Sequence, residues 1–304
     1  MIRTERGGRM AGQKRGAWRD TRTAYLLLAP SLFGISAFLV LPILVVAALA
    51  LQRWDLIGPR TFVGLDNFVA VAADGRFTRS LLITAVFVAV VIPAQTVLGL
   101  VAALLLNRGL RGSAAFRVLY VLPWICAPLV LGVVWRWVLA PTDGALNALL
   151  GRRVEWLADP ALALPSVAAV TVWTHIGYVA LFFSAGLRAI PDTVHEAAML
   201  DGAGPWQRFW RVTLPLLRPT TFFVLVTQII ATFQVFDSVY ALTPNGGPQG
   251  VTDVVAGRIY YEAFEQRAVG QAAVMALVLF VLLVAVTLVQ QRWFARRTTY
   301  DLST

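Results

Sequence analysis

The sequence is poor in the residues that make catalytic or metal sites. It has one cysteine and two histidines, and Lys14 is its only lysine. Cys126 therefore forms no intrachain disulfide, and with no ligand-type companion nearby it reads as a packing thiol rather than part of a metal site. Charged residues make up 14 % of the 304. Neither His175 nor His195 is accompanied by the clustered carboxylates or ligand set that an intramembrane transferase would need. Gly7 and Gly12 have the spacing of a phosphate loop, but Gln13 stands where the lysine must follow, so no ATP site is read there. The spans proposed below hold a single carboxylate, Asp237, too few for the acid relay of an ion-coupled transporter.

What the chain has is apolar length. Hydrophobic residues are 58 % of the total and the mean hydropathy is +0.71, which marks an integral membrane protein. Since about 20 apolar residues cross a bilayer core, spans are expected at 24–51, 81–106, 118–140, 161–187, 220–242 and 268–289. The first is too long for a cleaved signal core. The expected fold class is all-α, a polytopic membrane protein with six transmembrane helices. Its domain plan is a basic tail over 1–23, a membrane domain over 24–290 and a short tail over 291–304.

The net charge of +10 does not point to nucleic acid, because the basic residues gather at the ends of apolar runs. With the amino terminus inside, seventeen of them fall in cytoplasmic segments and eight outside, with Arg136 left in a span. That asymmetry places both termini, and the loop around Glu196, in the cytoplasm of a cell-membrane protein. Pro30, Pro42, Pro93, Pro123, Pro128 and Pro165 fall inside spans, where each either bends its helix or is absorbed as a static kink.

The loop over 196–219 is not explained by lipid. Thr193 with Glu196 predicts a capping box, and Asp192 is a second candidate cap. Gly202 suits a left-handed helix stop, and Pro205 suits the first position of a second short helix. Ala197 and Ala198 keep the first helix thin, so its backbone can sink into a groove, while Glu196 and Asp201 offer acceptors to a basic partner. An amphipathic helix lying on the membrane is the plainer alternative.

Polar side chains inside spans mark either a pathway or interhelical bonds. Thr171, His175, Tyr178 and Phe182 recur on one face of the fourth span. Thr227, Ala231, Gln234 and Ser238 do so on the fifth, with Asp237 at the edge and Gln228 further round. Trp124 and Trp135 share a face of the third, with Arg136 beside the second. Rings with amide, hydroxyl and carboxylate groups suit a sugar.

The loop resembles the EAA loop of ABC importer permeases in Glu196, Ala197, Ala198, Asp201, Gly202, Ala203, Leu214 and Pro215. Further matches cover nearly the whole chain: residues 62–68, FVGLDNF; 117–123, RVLYVLP; 185–191, AGLRAIP; and 233–237, FQVFD. They resemble the sugar and glycerol-3-phosphate type permeases, particularly actinobacterial permeases assigned to amino-sugar uptake. The resemblance implies a type I permease fold, the 188–219 loop docked on an ATPase, and import of a sugar or, alternatively, a glycerophosphodiester or glycerol-3-phosphate. It implies a second related permease, two ATPase subunits that bind ATP-Mg, an external substrate-binding lipoprotein, and no cofactor on this chain. One departure lies at 243–248, TPNGGP, which carries one residue more than the family pattern, and no large insert separates the third and fourth spans.

Overall fold

A computed structural model describes residues 23, 25–107 and 113–295. The basic amino-terminal tail, Arg108, Arg111, Arg296 and Arg297 lie outside the described residues. Helix α1 covers Tyr25–Ala50. A two-residue ladder follows, β1 (Gln52–Arg53) antiparallel to β2 (Thr61–Phe62), then α2 (Asp66–Ala73) and α3 (Gly75–Leu106). The next four are α4 (Ser113–Ile125), α5 (Pro128–Val138), α6 (Ala145–Leu150) and α7 (Pro160–Arg188). Helices α8 (Asp192–Leu200) and α9 (Pro205–Leu216) form the Glu196 loop. The chain closes with α10 (Arg218–Phe233), α11 (Asp237–Leu242), α12 (Val255–Tyr260) and α13 (Val269–Ala295). The structure is therefore helical; among the described residues α1, α3, α7 and α13 are each long and apolar enough to cross a bilayer, and the count reaches six if α4 with α5 and the bent pair that ends in α10 are each taken as one crossing.

Helix ends follow local chemistry. Asp74 and Asp159 cap α3 and α7, accepting from the amides of Arg76 (3.0 Å) and Ala161 (2.8 Å). The 62–68 segment has a clear task. Asn67 is buried and its Nδ2 donates to the carbonyls of Ala50 (2.8 Å) and Gln52 (2.9 Å), satisfying the end of α1. Helix α3 runs through all three apolar clusters, contributing Phe77 to one, Phe87 and Val91 to the next, and Ala102 and Ala103 to the third. Its Gly99 faces Val179 and Ala180 of α7 so closely that a Cβ would overlap the valine side chain. Gly177 of α7 lies likewise against the backbone of Tyr120. Small residues at crossings let helix backbones touch where lipid supplies no hydrophobic drive.

Three expectations are corrected. The third span is not one helix: α4 and α5 meet at 100°, because Pro123 and Pro128 each remove an amide and Ala127 is extended (ψ 127°) before Pro128. Trp124 and Trp135 therefore share no face; Trp135 meets Trp173 edge-on at 5.2 Å instead. The fifth span also breaks, after Phe233, with Phe236 at φ −135°, ψ −61° before α11 begins. No proline or glycine signals that break. Helix α11 is held by packing on α5, where Gly132 meets the Ala241 side chain. Helix α13 runs to Ala295. Of the prolines, Pro93 and Pro165 sit inside unbroken helices, and Pro42 follows a π-turn at Ser36–Val40.

At the end opposite Glu196 a polar clamp joins α3 to α12. Arg258, 6 % exposed, donates to Glu262 (2.7 Å) and lies 3.9 Å from Asp253, which accepts from Ser80 (3.0 Å). Thr84 Oγ1 accepts the Val255 amide (2.9 Å). Burial pushes the Asp253 carboxyl above its ordinary range, with the Ser80 bond and Arg258 opposing.

Glu262→Ala strands a buried guanidinium and is expected to destabilise the chain by about 3 kcal/mol or more, whereas replacing Arg258 and Glu262 together by apolar residues costs far less. Equal thermal midpoints for the two variants in detergent would refute the clamp. Because Asp253 holds its proton more tightly folded than unfolded, its contribution worsens as pH rises from about 3.9 through the raised native value. Acidification through that window should stabilise the wild type relative to Asp253→Asn; parallel pH–stability curves would show that the site is not buried as described.

Candidate functional site

The two helix breaks face one cavity of about 220 Å³. Trp124, Cys126, Pro128 and Gly132 line it from the first break; Gln234, Val235, Phe236, Asp237 and Ser238 line it from the second; α7 adds Thr171, Thr174 and His175. Irregular backbone at membrane depth is tolerated where it lines such a space, since protein or water must satisfy the freed groups. Thr171 is buried and donates to the Val167 carbonyl (2.9 Å). His175 Nδ1 lies 2.9 Å from the Thr171 carbonyl. Nδ1 must carry the proton it gives to a carbonyl, so Nε2 of the neutral ring is left as an acceptor for a hydroxyl.

The expected stripes divide. Thr171 and His175 line the cavity, as do Gln234, Asp237 and Ser238 once the fifth span has broken. Tyr178 and Phe182 do not. They continue from Trp124 as a column of rings, Trp124 to Tyr178 (4.6 Å), Tyr178 to Phe182 (4.8 Å) and Phe182 to Phe223 (4.9 Å), directed toward the Glu196 end. Thr227 bonds back to the carbonyls of Phe223 and Val224. Gln228 is buried and accepts from Gln95 Nε2 (3.1 Å), an interhelical bond away from the cavity. Gln95 escaped the sequence reading, although its presence inside the second span was the signal. Cys126, read as a packing thiol, proves to be a half-buried wall residue.

The Glu196 loop forms a wedge. Helix α8 starts at Asp192 with Pro191 as its N-cap and no side-chain cap, so the capping box of Thr193 and Glu196 and the Asp192 cap are not formed. Extended Pro191 (ψ 138°) sets the start instead. The stop is as expected. Gly202 has φ 76°, its amide donates to Met199 (3.0 Å), and the Ala203 amide reaches the Ala198 carbonyl (3.0 Å), a Schellman closure. Pro205 opens α9 after Gly204. Glu196, Ala197, Asp201 and Gly202 are exposed and Ala198 and Ala203 half-buried. Leu200 is 90 % and Trp206 74 % exposed, an apolar pair flanking the turn. Leu214 and Pro215 sit in α9 just before a 62° bend into α10. There Leu217 is fully buried, and Gly186 of α7 packs against Thr220 and Leu217.

A family model described as "Binding-protein-dependent transport system inner membrane component" matches residues 95–300. The chain is similar to the sn-glycerol-3-phosphate transport system permease protein UgpA of Agrobacterium fabrum, with 35 % identity over 281 residues, 91 % of this chain and 96 % of that protein. It is also similar to the trehalose/maltose transport system permease protein MalF of Thermococcus litoralis, 31 % identical over 277 residues, 90 % of this chain and 93 % of that one. Among solved structures, a bacterial ABC transporter involved in the import of the acidic polysaccharide alginate superposes with a TM-score of 0.80 over 93 % of this chain and 99 % of that chain. Identity there is 22 %, and the likeness is one of fold.

Cys126 offers a test of the cavity on the unaltered chain. A small polar methanethiosulfonate should modify it readily, and a reagent too large for about 220 Å³ should not. Equal rates for both, read by mass spectrometry, would put the thiol on an open face.

Proposed function

The chain belongs to the binding-protein-dependent transport system inner membrane component family; it is a multi-pass permease subunit of an ABC importer, and from that premise we propose how it takes its cargo and its drive. It is not an enzyme, ATP hydrolysis being the work of separate subunits. The ion-driven and intramembrane-enzyme readings fall with that membership.

The cargo is a sugar or sugar derivative, entering the cavity between the two breaks. The observation that carries this is the lining: rings, hydroxyls and the Gln234 amide surround His175 and Asp237, and among the described residues no arginine or lysine lines the cavity. Vicinal hydroxyls need donors and acceptors side by side and sugar CH faces need rings. A glycerol-3-phosphate dianion, the cargo named for the Agrobacterium relative, would meet a carboxylate and no guanidinium. The trehalose/maltose name of the Thermococcus relative accords better with this wall, and an amino sugar is equally compatible.

The wedge of α8 and α9 sits in the cytoplasm, as do both termini, and docks in a cleft of an ATPase subunit that binds ATP-Mg. Glu196 and Asp201 meet basic groups there, Leu200 and Trp206 fill apolar hollows, and Ala197 and Ala198 permit close approach. Movement passes through α9 to Leu217 and Gly186, and so to α10 and α7, whose residues also wall the cavity. A second permease, a second ATPase subunit and an external binding lipoprotein complete the importer.

Glu196→Lys places like charge against the docking surface, and Gly202→Val forces a β-branched residue into a left-handed turn at a cost of about 1–3 kcal/mol. Both are expected to leave the membrane fold and ATP hydrolysis intact while lowering uptake in proteoliposomes by roughly tenfold or more. Uptake at the wild-type rate in both would reject the wedge as the coupling element. In a Met199→Cys, Cys126→Ser chain, labelling by an impermeant maleimide added outside intact cells would place the wedge on the wrong side.

A further inference from the structure

A second cavity, of about 410 Å³, opens at the end opposite Glu196, between α3, α11 and α12. It lies across α11 from the central one. Val239, Tyr240 and Thr243 face this space, Asp237 and Ser238 face the other, and Phe236 lines both. One wall is a platform of rings: Phe236 to Tyr240 (5.2 Å), Phe236 to Tyr260 (4.9 Å) and Tyr240 to Tyr260 (5.7 Å).

The opposite wall presents Arg76, Arg79, Arg258, Asp253 and Glu265. It is not an anion trap. Arg76 is held by Asp74 (2.9 Å) and Arg258 by Glu262 (2.7 Å), so the nearby charges are close to balanced. What remains is a set of directed donors and acceptors. Among the described residues Arg79 has one hydrogen bond, to the Gln249 carbonyl (2.9 Å), and Nε of Arg258, in a side chain 7 % exposed, has none. Planar donors and carboxylates that hold adjacent positions match the vicinal hydroxyls of a pyranose, whose CH face stacks on a ring.

The roof is built, not loose. Asn245, Gly246, Gly247, Gln249 and Gly250 all have positive φ, between 53° and 80°, and two of them are not glycine. Backbone of that kind persists only where its surroundings hold it. Here Thr252 donates to Thr243 (2.8 Å), its amide donates to Gly246 (2.9 Å), and a Cβ on Gly247 would strike Thr252. The cavity is thus shaped in advance, which lowers the ordering cost of a ligand.

We propose that this outer cavity is a second saccharide subsite, which holds a neutral pyranose unit on the far side of α11 before it reaches the central cavity. The proposal rests on the reading of a sugar cargo. Phe236, common to both cavities, is the point of hand-over.

The test uses the assembled importer in nanodiscs, with saturation-transfer NMR. The probes are methyl α-glucoside, maltose and N,N′-diacetylchitobiose, with glucuronate and glycerol 3-phosphate as anionic counterparts. A neutral saccharide should bind, and Tyr240→Ala and Arg79→Ala should each weaken it about five- to tenfold, with Arg79→Lys intermediate. His175→Ala in the central cavity should remove a separate portion of the signal. Neutral binding unchanged in Tyr240→Ala and Arg79→Ala, preference for the anionic probes, or a phospholipid retained by wild type and lost from Tyr240→Ala in native mass spectrometry would each overturn the subsite. ATP-driven uptake of the same saccharides separates the two levels. Uptake with pocket-independent binding removes this proposal alone, whereas no uptake of any saccharide removes the parent reading with it.

Discussion

Hydrocarbon accepts and donates no hydrogen bonds, so every peptide group within a bilayer must find its partner in the protein. That requirement governs where this chain is irregular. Its two helix breaks, at 126–127 and 234–236, face each other across one cavity, with α7 closing the third side. Polar side chains and freed backbone groups are thereby collected in one place. The two irregular stretches of backbone and the polar side chains around them therefore share one wall.

Helix α7 is the element that the helices around that wall share. It touches α3 at Gly99, α4 through Gly177 and α10 through Gly186, in each case with backbone or short side chains in contact. Such contacts have no long side chain to yield, so displacement of one helix is passed on rather than absorbed. The wedge of α8 and α9 is joined covalently to α7 at one side and to α10 at the other. The Gly202 turn is thus tied along the chain to two of the helices that line the cavity.

The sequence disclosed those parts whose cause is local. Apolar length located the four long helices and the two bent pairs, Gly202 and Pro205 marked the turn of the wedge, and Pro128 with Pro123 warned of a bend. The turn was legible because left-handed backbone favours glycine. What stayed hidden depends on contacts distant in the chain. The break before Asp237 has no proline or glycine of its own and follows from α11 packing on Gly132. The bond between Gln95 and Gln228 joins residues 133 apart, and periodicity on α10 alone cannot tell it from a pathway amide. At the start of α8 a strong motif, Thr193 with Glu196, lost to Pro191, whose fixed backbone leaves the hydroxyl without a role in capping. The arginine of the outer clamp looked like one more charge at a helix end, because only the fold brings Asp253 and Ser80 to it.

The column of rings from Trp124 through Tyr178 and Phe182 to Phe223 belongs to three different helices. No two of those helices can shear without parting a pair of rings. Trp124 and Phe223, the rings at its two ends, are 43 % and 45 % exposed, so the column is a seam of rings in series along one side of the subunit. When α7 and α10 move apart, Phe182 must leave Phe223. A change in the spacing of α7 and α10 is therefore written directly into the separation of two aromatic rings.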